Sequence, residues 1–195
     1  MIRKFVWLFC ILLTAWLIFN SYQKKSSTVA PDNAVKDAES NAEDVNIGGK
    51  FNLVDHYGKK ITEDYLVGKN TLVLFGFSRC PHICPAQLTS LTESLDQFKD
   101  LQAIFITLDP QKDTVERLAE FHKSFHNRIL MLTGSDDEIK NVVESYKIYS
   151  NPDEDPAKFN HSAIIYLMGK DGNYLAHFTP ADGEELLNDL RQYIS

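Results

Sequence analysis

Residues 71–85, TLVLFGFSRCPHICP, join a short apolar run to a pair of cysteines. The run at 71–77 is rich in β-branched and aromatic residues, and this composition predicts a buried strand. Residues 85–98, which follow the cysteines, carry apolar side chains at the spacing of one helix face, so we expect an amphipathic helix there. These side chains are Leu88, Leu91, Leu95 and Phe98. The segment is therefore predicted to be a strand, a cysteine-bearing loop and a helix.

The loop places Cys80 and Cys84 four residues apart, each directly before a proline. Because proline disfavours the helical conformation in the residue before it, both cysteines are predicted to be extended or turn-like. Pro85 then fits the first helical position, with Cys84 as the helix cap. Two thiols would thus lie at a helix N-terminus, where unpaired N–H groups and the helix dipole favour the thiolate. A thiolate attacks disulfides and binds soft metals, so the pattern indicates thiol or metal chemistry.

A structural disulfide, or two ordinary buried cysteines, is the alternative interpretation of this pair, because free cysteine is often buried. Two prolines and His82 surround the thiols, however, and a turn of this kind is poorly suited to core packing. The chain has three cysteines in total, which argues against a small scaffold held together by disulfides. The third, Cys10, is left over from the pair.

Charge is unevenly distributed along the 195 residues. The formal net charge is −7, but the first 25 residues contain four basic residues and no acidic ones. The remainder carries 16 basic and 27 acidic residues, a balance of −11. This balance argues against nucleic acid as a partner and against a polybasic membrane-binding surface. It suits cationic partners or metal ions.

Residues 5–19 are almost uniformly apolar and follow Arg3 and Lys4. A membrane-spanning helix needs about 20 residues, and the flanking residues can extend this run to 1–22. A cleaved signal peptide is the alternative, but no small-residue cleavage site follows the run. We therefore predict an uncleaved membrane anchor at 1–22. Basic residues flank both of its ends, so the positive-inside rule alone does not set its orientation.

Residues 23–44 are rich in Ser, Lys, Asn, Ala, Asp and Glu, and they contain a single proline. This composition buries little apolar surface and predicts a flexible linker. Residues 45–195 are predicted to form one folded domain, because strand and helix patterns fill this part of the chain. It opens with a predicted hairpin at 51–62 and a helical turn at 63–66.

Strands and helices are predicted to alternate beyond the cysteine segment. We expect strands at 101–108 and 129–132, helices at 114–125 and 135–146, a polar loop at 151–156, a hairpin of 162–168 and 174–178, and a closing helix at 182–193. This order predicts an α/β sandwich with right-handed crossovers that ends in an antiparallel hairpin. It is the layout of thioredoxin, with the cysteine loop after the strand of the first βα unit.

In a thioredoxin layout, the loop that enters the terminal hairpin lies beside the cysteine loop. Here that loop carries His161, so the fold predicts an imidazole opposite the two thiols. His82 is a competing ligand, although we interpret it as an exposed turn residue and the other four histidines as structural. Two thiolates and one imidazole suit copper, because sulfur selects copper(I) and imidazole accepts either oxidation state. Zinc is the alternative metal, but it normally takes a fourth ligand.

The sequence resembles, at three places, the Sco/SenC family of membrane-anchored, thioredoxin-like copper proteins. Residues 76–85 resemble the family's CxxxCP motif, residues 107–114 its DPxxD stretch, and residues 161–172 its histidine-bearing hairpin. The resemblance covers about 45–195, and the predicted anchor fits it as well. One departure is Asn160, because the family often has an aspartate before the histidine. Within the DPxxD stretch, Asp109 is interpreted as capping the turn before Pro110, with orientation of the cysteine loop as the alternative.

The resemblance implies a copper metallochaperone that binds copper through Cys80, Cys84 and His161. It implies delivery to the binuclear CuA centre of cytochrome c oxidase subunit II, or to another copper-accepting protein. The domain is then expected to be extracytoplasmic, facing the periplasm from a bacterial inner membrane, with the mitochondrial inner membrane as the alternative.

Some members of the family look like thiol–disulfide reductants instead. A membrane-tethered oxidoreductase that uses Cys80 and Cys84 as its redox-active pair is therefore the second hypothesis. A peroxidase of the peroxiredoxin type is the third, since peroxiredoxins also have a thioredoxin fold. Such a peroxidase needs only one activated cysteine, so the paired cysteines and His161 argue against it.

The predicted anchor leads to a direct test on membranes. An apolar helix of about 20 residues inserts stably into a bilayer, so alkaline carbonate should not extract the protein from the membrane fraction. Mass spectrometry of the mature protein should also find Met1 retained. Recovery of a soluble form that begins after Tyr22 would contradict the anchor.

Overall fold

The computed structural model describes residues 47–153, 155 and 160–194. The predicted anchor at 1–22 and linker at 23–44 lie outside these residues. Among the residues described, no helix has the length and apolar character that crossing a membrane requires. Residues Asn46–Ser195 form one compact unit. Side chains of the described residues of this unit form two hydrophobic cores, so we expect it to fold by itself.

The order of elements agrees with the predicted alternation of strands and helices. The strands are β1 (Asn52–Asp55), β2 (Lys60–Thr62), β3 (Asn70–Gly76), β4 (Leu101–Thr107), β5 (Ile129–Thr133), β6 (Ser150–Asn151), β7 (Asn160–His161), β8 (Ile165–Met168) and β9 (Tyr174–Phe178). The helices are α1 (Ile83–Gln97), α2 (Val115–His122), α3 (Asp136–Ser145) and α4 (Gly183–Leu190), and a 3-10 helix spans Glu63–Leu66.

Seven strands form one mixed sheet in the order β2-β1-β5-β4-β3-β8-β9. Strands β3, β4 and β5 are parallel neighbours, whereas β8 pairs antiparallel with β3 and β9 pairs antiparallel with β8. The N-terminal hairpin β1–β2 extends the other edge, where β1 pairs antiparallel with β5. This is the predicted thioredoxin-like fold, with an antiparallel hairpin at each edge of its sheet.

Strand β3 lies in the middle of the domain and contributes to two hydrophobic cores. Leu72 and Leu74 face one core, and Val73 and Phe75 face the other, because successive side chains of a strand point to opposite sides. Burial of both faces explains why this strand reads as a continuous apolar run. The first core includes leucines of α1 and α4, and the second includes residues of α3. These are Leu88, Leu91, Leu95, Leu186 and Leu190 in the first core, and Ile139 and Val142 in the second.

Helix α1 begins two residues earlier than predicted. Ile83 is its first residue and His82 its cap, without a hydrogen bond from the His82 side chain. The prediction that Pro85 starts the helix with Cys84 as its cap is therefore wrong. Pro85 lies in the first turn, where backbone N–H groups have no helical partner, so its missing N–H removes no helical hydrogen bond. Cys84 consequently lies inside the helix rather than ahead of it.

The segment before the C-terminal hairpin also differs from the prediction. Strand β8 starts at Ile165 rather than at residue 162, and β6 and β7 pair as a separate two-stranded sheet. Two-residue strands carry no readable periodicity, so Ser150–Asn151 was indistinguishable from a polar loop in the sequence. This small sheet is the element that carries His161.

Helix α3 ends in a backbone conformation that normally belongs to glycine. Lys147 has φ +56, and the N–H groups of Lys147 and Ile148 donate to the carbonyls of Glu144 and Val143. These two hydrogen bonds define a Schellman motif, in which the left-handed residue is usually glycine because a Cβ is strained there.

Replacing this lysine by glycine should therefore stabilise the domain. Lys147→Gly is expected to raise the free energy of unfolding by about 1 kcal/mol, the scale of the strain that glycine relieves. Urea unfolding of residues 46–195 measures this change. Lys147→Ala removes the same side chain but keeps the Cβ, so it should give no gain. Equal changes in the free energy of unfolding for the two variants would contradict backbone strain at Lys147.

Candidate metal centre

The cysteine loop connects the end of β3 to the first turn of α1. The N–H of Cys80 donates to the carbonyl of Phe77 at 3.1 Å, which closes a turn ahead of the helix. Cys80 is only partly buried, whereas Cys84 is completely buried in the first turn of α1. Both are free thiols. The loop thus presents one accessible and one enclosed sulfur.

The N-terminus of α1 stabilises a thiolate at Cys80. A hydrogen bond from the Cys84 thiol, together with the backbone N–H groups of residues 82–84, lowers the pKa of Cys80 to about 5. The N–H of Cys84 lies 3.5 Å from Cys80 Sγ. The pKa of Cys84 is raised instead, because its thiol is the donor to Cys80 and because it is buried. At neutral pH the pair is therefore one thiolate and one neutral thiol.

Gly76, the last residue of β3, leaves the space that the Cys84 sulfur occupies. A Cβ at this position would lie 2.7 Å from Cys84 Sγ and 2.9 Å from the Phe105 ring. Neither neighbour can move freely, because Cys84 and Phe105 are both fully buried. Glycine is required here by close approach rather than by an unusual backbone conformation.

His161 lies beside Cys84. It lies in β7, where it pairs with Ser150 of β6. His161 Nε2 is 3.8 Å from Cys84 Sγ. Its ring also packs edge-to-face against Phe77, with centroids 5.8 Å apart. The structure therefore brings His161 to the cysteine loop, as the thioredoxin layout predicts.

The other nitrogen of His161 fixes which tautomer is present. Nδ1 lies 3.0 Å from the backbone carbonyl of Ser162. A carbonyl oxygen can only accept, so Nδ1 carries the proton and Nε2 keeps its lone pair. This arrangement is the one that metal-binding histidines commonly use, with a carbonyl holding the ring from behind. The lone pair of Nε2 then lies on the side of Cys84.

A buried carboxylate anchors the start of the cysteine loop. Asp113 is fully buried and accepts hydrogen bonds from Ser78 N at 2.9 Å, from Ser78 Oγ at 2.6 Å and from Thr107 Oγ1 at 2.7 Å. Arg117 Nε in turn donates to Ser78 Oγ at 3.1 Å. Ser78 is two residues before Cys80, so these contacts fix the point from which the loop departs.

A second contact joins the same two segments closer to the surface. Arg79 Nη2 donates to Asp109 Oδ2 at 2.6 Å, and both side chains are partly buried. The side chain of Asp109 therefore orients the cysteine loop, which is the role that the sequence interpretation placed second. Its backbone also belongs to a turn, because its carbonyl accepts from Lys112 and Asp113 N–H.

The other histidines do not join the thiols. His82 is exposed at the cap of α1, and no hydrogen bond of the described residues links its side chain to either sulfur. The remaining four make local contacts elsewhere in the fold, which agrees with a structural role. They are His56 and His122, whose rings stack 4.1 Å apart, His126, which accepts from Arg128 N–H, and His177, which contacts Tyr174.

Cys84 is the common neighbour of Cys80 and His161. Across residues 47–153, 155 and 160–194, however, no set of three or more His, Cys, Asp or Glu side chains is already close enough to hold a metal ion. A three-ligand site built from Cys80, Cys84 and His161 therefore requires these side chains to come closer together than they are in this structure.

Comparison with known proteins assigns the family. The family model described as SCO1/SenC matches residues 39–195. This chain belongs to the SCO1/SenC family. Its relatives include the mitochondrial SCO1 homolog 1 of Arabidopsis thaliana, 38% identical over 173 residues that cover 82% of this chain and 52% of that protein. The SCO2-like protein RP587 of Rickettsia prowazekii is 40% identical over 143 residues, covering 69% of this chain and 70% of that protein.

Solved structures agree with this assignment. The crystal structure of Arabidopsis thaliana ScoI with copper bound matches with a TM-score of 0.70 and 38% identity, covering 75% of this chain and 99% of that one. The thioredoxin-like fold of this chain is thus the fold of SCO1/SenC proteins. This chain spans about half the length of the Arabidopsis SCO1 homolog 1.

Several residues of this candidate site were not found from the sequence. Gly76 and Asp113 were quoted within motifs but received no role, and Ser78 and Arg117 were not singled out. Their contacts join residues up to 39 positions apart, so only the fold brings them together. The one available signal was a glycine at the end of a strand, which often marks close approach of another group.

The lowered pKa of Cys80 gives a pH-dependent reactivity. On the unit 46–195, alkylation of Cys80 by iodoacetamide should lose rate only as the pH falls through about 5, where the thiolate is protonated. An ordinary cysteine would show its midpoint at about 8.5. Cys84 should remain unmodified because it is buried. The rate is followed by mass spectrometry of the Cys80 peptide.

Cys84→Ala is the matched variant for this experiment. It removes the thiol donor that contributes most to the lowered pKa of Cys80, so the midpoint should move upward. If the alkylation rate of the protein without this substitution had its midpoint near pH 8, the stabilised thiolate at Cys80 would be contradicted.

Proposed function

We propose that this chain is a copper metallochaperone that binds copper through Cys80, Cys84 and His161. It delivers the metal to the CuA centre of cytochrome c oxidase subunit II or to another copper-accepting protein. The observation that carries the proposal is the position of Cys84, whose N–H lies 3.5 Å from Cys80 Sγ and whose own sulfur lies 3.8 Å from His161 Nε2. Copper is the cargo of such a protein rather than a permanent cofactor.

The donor set favours copper over zinc. Two sulfurs and one imidazole suit copper(I), whereas zinc normally takes four ligands. The two carboxylates that contact the cysteine loop are already engaged, Asp109 with Arg79 and Asp113 with Ser78. A fourth protein ligand is therefore not supplied by either of them. The copper-bound structure of the Arabidopsis relative supports the same choice of metal.

The unequal thiols suggest an order of binding. Cys80 is partly exposed and already a thiolate, so it is the group that meets incoming copper first. Cys84 must lose its proton when it becomes a ligand, and metal binding therefore releases a proton. The tautomer of His161 that donates Nδ1–H to the Ser162 carbonyl presents its Nε2 lone pair as the ligand. Release to a recipient would follow the reverse order, with Cys80 as the accessible exit ligand.

A thiol–disulfide oxidoreductase is the second candidate function. The pairing of a low-pKa, accessible Cys80 with a buried, neutral Cys84 favours it, since a nucleophilic thiol and an adjacent resolving thiol are what disulfide exchange requires. This chemistry needs no imidazole at position 161. His161 therefore distinguishes the two functions.

We also propose that residues 1–22 tether the domain to a membrane and that residues 23–44 give it reach on the extracytoplasmic side. The apolar run at 5–19 and the polar composition of the following segment support this placement. An extracytoplasmic location would also allow a Cys80–Cys84 disulfide to persist.

The ligand role of His161 is tested by His161→Ala. Loss of one ligand should lower copper(I) affinity by at least about tenfold, the scale seen when even groups that support a ligand are removed. The variant should still form the Cys80–Cys84 disulfide and reduce a model disulfide at an unchanged rate. Anaerobic copper(I) competition titrations on residues 46–195 measure the affinity.

His82→Ala is the control, because His82 is the histidine between the two cysteines but its side chain makes no hydrogen bond to either thiol within the described residues. It should leave copper affinity unchanged. The oxidised domain should also fail to bind copper, since the disulfide removes both sulfur ligands. If His82→Ala abolished binding while His161→Ala left it intact, the ligand assignment would be wrong.

A further inference from the structure

The segment that follows His161 is not part of any strand. Residues 162–164 connect β7 to β8, so their backbone carbonyls need partners outside a sheet. The carbonyl of Ser162 is taken by Nδ1 of His161 itself. The carbonyl of Ala163 accepts a hydrogen bond from Gln87 Nε2 at 3.1 Å. This second bond comes from a helix that lies 76 residues earlier in the chain.

Gln87 occupies a particular position on helix α1. It lies three residues after Cys84 and only 8% of it is exposed, so both side chains belong to the buried face of the helix. The helix that carries Cys84 therefore also holds the segment that carries His161. Because the Ala163 carbonyl can only accept, the amide nitrogen of Gln87 must face it, and its oxygen Oε1 points away.

That oxygen has no donor in the part of the chain that the structure describes. Gln87 Oε1 is buried, and none of residues 47–153, 155 and 160–194 donates a hydrogen bond to it. A buried acceptor without a donor destabilises the folded state, whereas an apolar side chain of similar size would avoid this cost. Stability alone therefore does not explain a glutamine at this position. The contact with Ala163 is the feature that an apolar residue could not supply.

We propose that Gln87 is a positioning residue that holds His161 against Cys84. Its amide ties the connector at Ala163 to α1, two residues from the imidazole, and thereby fixes the Cys84–His161 separation. The inference rests on the proposed function, in which these two residues are copper ligands. A ligand segment that is already in place loses less freedom when the metal binds, so the apparent affinity is higher.

The test is a double-mutant cycle with copper(I) as the probe. Gln87→Leu keeps the approximate size of the side chain without its donor, and it should lower copper(I) affinity by about tenfold, the lower end of the effect of groups that support a ligand. In the His161→Ala background the same change should have no further effect, because there is no imidazole left to position. Competition titrations on residues 46–195 give all four affinities.

Two further variants separate positioning from damage to the fold. Gln87→Glu keeps the shape but places a carboxylate oxygen against the Ala163 carbonyl, so it should reproduce the loss. Gln97→Leu changes an exposed glutamine of the same helix and should leave affinity unchanged. The sulfur-to-copper absorption band of the copper(II) form should also shift in Gln87→Leu, while Cys80–Cys84 disulfide formation stays at its normal rate.

The outcomes distinguish the positioning role of Gln87 from the proposed copper-binding function on which it rests. If His161→Ala leaves copper affinity unchanged, the proposed ligand set fails. If His161→Ala weakens binding but Gln87→Leu does not, or weakens it equally in both backgrounds, the ligand set stands and the positioning role of Gln87 is wrong. A loss in Gln87→Leu that disappears without His161 supports the proposal.

Discussion

Close packing around the Cys84 sulfur is the constraint on which the site depends. The sulfur lies in the space that a Cβ at position 76 would occupy, and it contacts His161 on another side. Helix α1 must therefore start directly against the end of β3, with Cys84 inside its first turn. A sulfur placed two residues earlier, at the exposed cap residue His82, would lie ahead of the helix and would not be enclosed in this way. The fold thus determines which of the two cysteines is buried.

The burial of Cys84 in turn determines the chemistry of Cys80. Because Cys84 is inside the helix, its N–H and its thiol both face back towards Cys80 and stabilise a thiolate there. The two cysteines are equivalent in the sequence motif, yet they differ in exposure and protonation. An accessible thiolate beside an enclosed thiol suits the proposed receipt and release of a soft metal, because the accessible sulfur can be the first to bind the metal and the last to release it.

The sequence predicted those parts of the structure that depend on local pattern. The apolar run before Cys80 and the spacing of Leu88, Leu91 and Leu95 predict β3 and α1, and chain order predicts that His161 reaches the cysteine loop. The predicted start of α1 was wrong. Proline disfavours the helical conformation in the residue before it, but Cys84 is helical because it packs inside the first turn of α1. The role of Gln87 could not be predicted, since its partner lies 76 residues away in a connector without periodicity.

The same limit applies to the two aspartates that contact the cysteine loop. In the sequence, Asp109 and Asp113 look alike, since both belong to one polar turn. The Arg79–Asp109 pair is only partly buried and is worth on the order of 1 kcal/mol or less. Asp113 is fully buried and accepts three hydrogen bonds, and each donor left unpaired by its loss would cost about 1–3 kcal/mol. The position of the loop therefore depends mainly on the hydrogen bonds of Asp113 and less on the ion pair between Asp109 and Arg79.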